Sequence, residues 1–264
     1  MTAIDEQSSV HDRPTRIDPH VKVCSEPIVD RAGDNGLDAL VYAPHFTRFP
    51  EIETVAASLD STRCRVLPGR EVFTGDWRNR RHVLAIGLSD PVPDFITLDA
   101  AMEEFRRQDA TVIVPHPEFY TVGMAESEIR TYLDVIDAIE VVNPKHRRRH
   151  DRRAKQLADE LDLPAVGSSY AHLPWTVGDV WTELDRSPSE PSAILRAIGT
   201  RGDGDRRVCR RTGTGPRLRA TAEFAHLGWE NSWKKVDRVL LSGLEATHPD
   251  HPVYEGRFDD VAVY

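Results

Sequence analysis

Six side chains able to donate a lone pair to a divalent ion fall in or beside successive apolar runs. His20 lies in IDPHVKV (17–23), His45 two residues after LDALVYA (37–43), and Glu71 near the end of RVLPGREV (65–72). His82 opens HVLAIGL (82–88), His116 closes ATVIVPH (110–116), and His172 follows PAVGSS (164–169). Neutral imidazole and carboxylate together suit Zn, Mn or Fe. A lone histidine at the end of a strand is ordinarily a satisfied polar residue. Its recurrence at consecutive runs is what argues for a shared ion. His11, His146, His150, His226, His248 and His251 show no such placement and read as surface residues.

Two basic clusters could meet an anion. Lys145, Arg147, Arg148 and Arg149 follow the sixth run, DAIEVVN (137–143), and Arg78, Arg80 and Arg81 precede His82. Guanidinium forks match phosphate oxygens. The first cluster sits where a helix begins, a place where the dipole already disfavours cations. It therefore reads as a phosphate contact, with Lys145, Arg147 and Arg148 as substrate-binding residues. The second reads as a charged hairpin turn, and the Arg-rich stretch 206–219 as a mobile loop.

The elements that must position these groups alternate. Between the runs lie helical patterns at EIETVAASL (51–59), LDAAMEEFRRQ (98–108), SEIRTYLDVI (127–136) and HDRRAKQLADEL (150–161). Such alternation predicts an α/β protein with a mostly parallel sheet. Seven strands in one series point to a closed or nearly closed barrel, whose strand ends converge on one rim. Residues 1–15 are pattern-free and predicted to be disordered. Residues 186–214 read as linker and loop, 217–243 as a long helix, and 245–264 as an extended strap.

Composition bounds the rest. The chain has 264 residues and a formal net charge of -9, which argues against a globally basic nucleic-acid binder. No apolar run is long enough for a membrane span, and the N-terminal stretch lacks the apolar core of a signal peptide. Three widely spaced cysteines without CxxC spacing fit a reducing cytoplasm better than a disulfide scaffold. There is no GxGxxG, GxxxxGK[ST] or GxSxG motif, so dinucleotide, P-loop and α/β-hydrolase chemistry are unsupported.

In order, IDPHVKV, GLDALVYAPH, LPGREV, RHVLAIG, VIVPHPE, DAIEVVNPK and GSSYAH resemble the motifs of the PHP (polymerase and histidinol phosphatase) superfamily. The resemblance covers about Arg16 to Trp181. It implies a distorted seven-stranded β/α (TIM-like) barrel over 16–185, with a C-terminal extension over 186–264. It also implies a metal-dependent hydrolase, most simply a phosphoesterase that uses a metal-activated water. The substrate would be a phosphorylated small molecule or an oligonucleotide.

The departures from the family shape the expectation. The opening His-x-His is here His20-Val21-Lys22, and the closing Ser-Asp-Ala-His is Ser169-Tyr170-Ala171-His172. Pro44 precedes His45 where an acidic residue is usual, and Glu26 is only an approximate counterpart of another acid. By resemblance, the first metal site has lost two of four ligands. The second, Glu71, His82 and His116, is complete, and the third keeps His45 and His172. One or two ions are expected, with Glu71, His116 and Lys22 as the catalytic set. Strand alternation sends His20 and Lys22 to the same side. Lys22 is thus expected either to pair with Glu71 in place of the lost ion or to snorkel to solvent. The alternative function is a degenerate, non-catalytic barrel used for binding.

Overall fold

The computed structural model describes residues 13–76, 78–184, 190–201, 206–219, 221–223, 225–226 and 246–263. The expected N-terminal tail lies almost wholly outside these residues. So does most of the expected helix over 217–243, of which the described residues 217–219, 221–223 and 225–226 are helical, the first of these segments beginning at 214.

All seven apolar runs form strands: β1 (Thr15–Val21), β2 (Ala39–Tyr42), β3 (Arg65–Thr74), β4 (Arg81–Ile86), β5 (Thr111–Val114), β6 (Ala138–Val142) and β7 (Ala165–Gly167). Two more follow, β8 (Val180–Leu184) and β9 (Arg206–Arg210). Among the described residues the result is one nine-stranded sheet in the order β7-β6-β5-β4-β3-β2-β1-β8-β9. This corrects the seven-strand expectation. The sheet is also mixed rather than mostly parallel in its middle and at one edge. β4 runs antiparallel to β3 and β5, and β8 runs antiparallel to β1 and β9.

The sheet curls until its edges nearly meet. Thr182 on β8 accepts a hydrogen bond from the Gly167 amide (2.9 Å) and donates one to the Gly167 carbonyl (3.1 Å). A side chain at position 167 would collide with Val208 and Val180, so only glycine lets β7 approach this seam. Beyond β7, the Lys22 amide donates to the Ala171 carbonyl at 2.8 Å.

Besides the helical segments after residue 213, six α-helices accompany the strands among the described residues: α1 (Glu26–Asp34), α2 (Phe49–Leu59), α3 (Leu98–Arg107), α4 (Glu126–Thr131), α5 (Arg148–Leu161) and α6 (Pro191–Gly199). α1 and α6 were not anticipated, although each has proline in its first turn, a favoured start. α6 and β9 replace the loop expected over 186–214. Ile194 and Ile198 of α6 join Ile17, Ala39, Leu67, Ile86, Ile113, Ala138 and Val166 in one apolar cluster. α6 thus plugs the barrel at one end. Alternation then carries the same inward face from Leu67 to Glu71 and from Ala138 to Glu140, so the opposite end is polar.

Over 246–263 the tail is a series of turns with a short 3-10 helix at Pro252–Tyr254, rather than an extended strap. It is nonetheless tied down, through buried Tyr254 and Phe258 and a bridge between Ile96 and Ala262.

Candidate metal centre

Glu71 is fully buried and sits at the centre of the polar end. Its two oxygens face different partners. Oε1 lies 3.3 Å from His82 Nδ1 and 3.2 Å from His116 Nε2. Oε2 lies 2.5 Å from Lys22 Nζ, 3.1 Å from His45 Nδ1 and 3.6 Å from His20 Nε2. His172 joins through His45, Nε2 to Nε2 at 3.2 Å. All six ligand-type residues singled out in the sequence therefore meet in one place.

The antiparallel course of β4 explains how His82 gets there. His82 opens its strand, which in a parallel barrel would put it at the wrong end. Because β4 reverses, Phe73 pairs with His82 and Glu71 with Leu84, which brings the start of β4 beside the end of β3. The His82 ring stacks on Phe73 with centroids 3.9 Å apart. His116 is reached differently. It follows β5 with φ +34°, a left-handed conformation that is strained for a non-glycine residue. Its amide donates to Glu140 Oε2 at 2.9 Å, which holds that backbone in place.

Lys22 does not reach solvent: it is 7% exposed. Besides Glu71, its ammonium donates to the Ala43 carbonyl at 2.5 Å. Burial pulls its pKa down to about 8, against the opposing pull of Glu71. Burial alone would raise the Glu71 carboxyl, but Lys22, His20, His45 and His82 outweigh it and hold the carboxyl well below its usual range. Burial keeps His82 neutral down to about pH 4 and pushes His45 and His172 well below the usual imidazole value. Neutral imidazole is the form that ligates metal.

Lys145 belongs to the same cluster, whereas Arg147 and Arg148 are exposed outside it. Lys145 Nζ donates to the Tyr170 carbonyl (2.6 Å), contacts His172 Nδ1 (2.7 Å) and lies 3.8 Å from the Tyr170 ring centroid. Burial lowers its pKa to about 7. Tyr170 has φ +47° and places its ring 4.6 Å from that of His20.

Three participants were missed. Glu140, buried in the middle of AIEVV, contacts His20 Nδ1 at 3.4 Å and accepts from Asn143 and Ser168. An acid inside an apolar strand was the available signal. Asp18, two residues before His20, clamps the Ser169 and Gly178 amides at 3.0 Å each. Glu223 comes from the C-terminal extension, accepts from the His172 amide and lies 3.7 Å from Lys145. Nothing in the local sequence points to it. Glu26, by contrast, is exposed on α1. His146 and His248, read as surface residues, are buried, His146 against Phe119 and His248 near Phe95.

A divalent ion fits part of this cluster. Among the described residues, ligand atoms of Glu71, His82 and His116 all lie within 4.8 Å of one another. Neither His82 nitrogen makes a hydrogen bond, nor does His116 Nδ1, although all are buried. Buried polar atoms without hydrogen bonds are uncommon and call for an occupant. The 3.2 Å separation of the His45 and His172 nitrogens also suits two ligands of one ion. On the other side of Glu71, the Lys22 ammonium already contacts Oε2 at 2.5 Å.

A family profile described as PHP-associated (PHP_C) matches residues 148–201, which run from α5 through α6. The match covers about a fifth of the chain, at its junction between barrel and extension, and is consistent with the PHP resemblance of the sequence motifs. Two solved structures share this fold and bear on fold alone. PsfC from Pseudomonas syringae PB-5123 aligns with a TM-score of 0.59 at 19% identity, over 81% of this chain and 99% of that one. The lesion-specific endonuclease PfuEndoQ from Pyrococcus furiosus aligns with a TM-score of 0.56 at 16% identity, over 77% of this chain and 60% of that one. The uncharacterized protein MJ0417 of Methanocaldococcus jannaschii is 26% identical over 147 residues, 49% of this chain and 60% of that relative's length. Among the described residues, no helix is long and apolar enough to cross a membrane.

Proposed function

We propose that this protein is a PHP-type metal-dependent phosphoesterase that works with one or two divalent ions. The observation that carries the reading is the convergence of Glu71, His82 and His116, with buried imidazole nitrogens that lack hydrogen bonds. His45 and His172 are the second pair of ligands, and His20 supports Glu71 from the side. Zn, Mn and Fe all suit these donors. Such an ion would neutralise charge on a phosphoryl oxygen and acidify water.

The protein's own groups supply the rest. Glu71 divides its charge between the imidazole side and Lys22, so the ammonium takes over the charge of the lost first ion. Lys145, poised near neutrality and beside His172, donates to a phosphoryl oxygen of the bound substrate. Arg147 and Arg148 hold more distant anionic groups. In the overall hydrolysis, the oxygen of water forms a new P–O bond, the ester P–O bond breaks, and the leaving oxygen takes a proton. Residues 16–185 supply the ligand side chains of the site, and the extension of 186–264 adds β9 and α6 to the barrel and Glu223 to the site. Three free thiols suit a reducing cytoplasm.

The second reading is a binding module that has given up catalysis. It is favoured by one specific observation, the Lys22–Glu71 ion pair where the family binds metal. Elemental analysis with bis-p-nitrophenyl phosphate and p-nitrophenyl phosphate assays separates the two. The phosphoesterase reading expects one or two ions per chain and turnover abolished by His116→Ala, together with loss of one ion. Bound metal without turnover of either ester would favour the binding module. Three tightly bound ions would contradict the assignment of Lys22.

A further inference from the structure

Two arginine clusters that are distant in sequence meet beside the metal centre. Arg147 and Arg148 at the start of α5, Arg210 and Arg211 at the end of β9, and Arg217 on the 214–219 helix line one groove of ≈ 490 Å³. In a chain of net charge -9, this concentration is not a general feature of the surface. The acids nearby are largely engaged. Asp179 pairs with Arg219 at 2.6 Å, and Asp151 comes no closer than 3.9 Å to Arg210. Among the described residues, Arg147, Arg148 and Arg217 have no ion pair, and all three are exposed.

The floor of the groove gives a second, independent sign of a ligand. His146 lines it with a side chain only 1% exposed, and neither ring nitrogen makes a hydrogen bond. Its nearest carboxylate oxygen, on Asp151, is 3.5 Å away. His146 also joins the groove to the centre. It follows Lys145 directly, and its ring lies 6.3 Å from that of His116.

An exposed aromatic completes the arrangement. Tyr120 is 68% exposed, and its ring lies 6.3 Å from that of His150, one turn along α5 from Arg147. Guanidiniums for phosphates and, next to the groove, an exposed aromatic ring for a base are the two elements of single-strand recognition. A phosphomonoester of a small molecule would occupy one or two of these arginines and leave the others without use.

We propose that this groove is the track for the phosphodiester backbone of a single-stranded oligonucleotide, with Tyr120 stacking on a base. The inference rests on the phosphoesterase reading, since it names the substrate class of the same site. His146 donates to a backbone phosphate oxygen, and the strand then runs past Lys145 toward Glu71.

The test is fluorescence anisotropy of a labelled single strand of about 12 nucleotides, a length within the usual single-strand site sizes. It uses the full chain as purified, across a series of salt concentrations. The double variant Arg147→Ser/Arg217→Ser should weaken binding at least tenfold. It should also flatten the plot of log K against log salt by about 1.4, from roughly 0.7 per lost phosphate contact. Tyr120→Ser should weaken binding by about fivefold or more without changing that slope. Binding that is absent in the parent chain, or unchanged in both variants, overturns the proposal. If bis-p-nitrophenyl phosphate is still hydrolysed in that case, only the substrate class fails. Strong, salt-dependent binding without hydrolysis of any ester supports the groove and removes the catalytic reading instead.

Discussion

At the scale of single residues, Glu71 shows how one carboxylate can serve two neighbours of different chemistry. Oε1 faces two imidazoles and Oε2 an ammonium. Removing Lys22 leaves a buried anion without its cation, a loss on the order of 3–5 kcal/mol when one partner of a buried pair is deleted. Lys22→Met is therefore expected to lower stability sharply in chemical denaturation, more than Lys22→Arg, which keeps the charge. The paired exchange Lys22→His with Tyr170→Asp supplies the ligand types of the PHP motifs that these segments resemble and should raise the ion count by one. An unchanged count by elemental analysis would show that Lys22 does not stand in for metal. The ligand-type residues were legible because each stood in or beside an apolar run. Glu223 was not, because its contact with His172 joins residues 51 apart and no pattern encodes it. Histidine burial was also misjudged at His146, whose neighbours in sequence are basic but whose ring packs on Phe119.

At the scale of elements, the position of Glu71 depends on what holds β3. Arg70 is fully buried, donates to the Glu71 carbonyl at 2.7 Å and pairs with Asp94 Oδ2 at 2.7 Å. Asp94 also accepts from the Phe73 amide (2.8 Å) and from Thr247 of the tail (2.7 Å). One carboxylate thus ties strand, loop and tail together behind the bridging glutamate. Asp94→Ala strands the Arg70 charge and two donors, and should cost about 3–5 kcal/mol. It should also reduce metal loading, because Glu71 loses its backbone anchor. A variant that keeps full ion content at unchanged stability would show that this anchor is dispensable. Strand identity was readable from short β-branched runs, and all seven fell on strands. Strand direction was not readable, since periodicity gives the face of a strand but not its sense. The β3–β4 hairpin explains why His82 could look misplaced in the sequence and still reach the rim.

At the scale of the whole molecule, burying so many titratable groups at one end of the barrel makes folding depend on pH. Burial holds His82 neutral to about pH 4, against a usual value of 6.5, and pushes His45 and His172 well below it. As pH falls below 6.5, the unfolded chain binds protons that the fold refuses until about 4, so acid favours unfolding across that window. The carboxylates act in the same direction. Burial would raise Glu140, but the hydrogen bond and charge of His20 help bring it to about 2, and Glu71 is held well below its usual range. Their stabilisation is present above about 4.5 and lost below it. Asp18 opposes them: burial lifts it to about 6, so between 3.8 and 6 the fold binds the extra proton and loses stability as pH rises. At this end of the barrel one opposing carboxyl faces three imidazoles and two carboxylates, so their sum should make the metal-free chain more stable as pH rises from about 4 to 6.5. His82 alone contributes roughly 1.5 kcal/mol between pH 6.5 and 5, and His45 and His172 add to it. Thermal melts in chelator should therefore show Tm falling by at least about 5 °C over that interval, given a shift of about 2–4 °C per kcal/mol for a chain of this size. His82→Phe keeps a ring stacked on Phe73 but cannot take up a proton when unfolded, so it should flatten the profile. A parent Tm that stays level between pH 6.5 and 5 would mean that these imidazoles are not held neutral by the fold, and that the end of the barrel is wetter than its packing indicates.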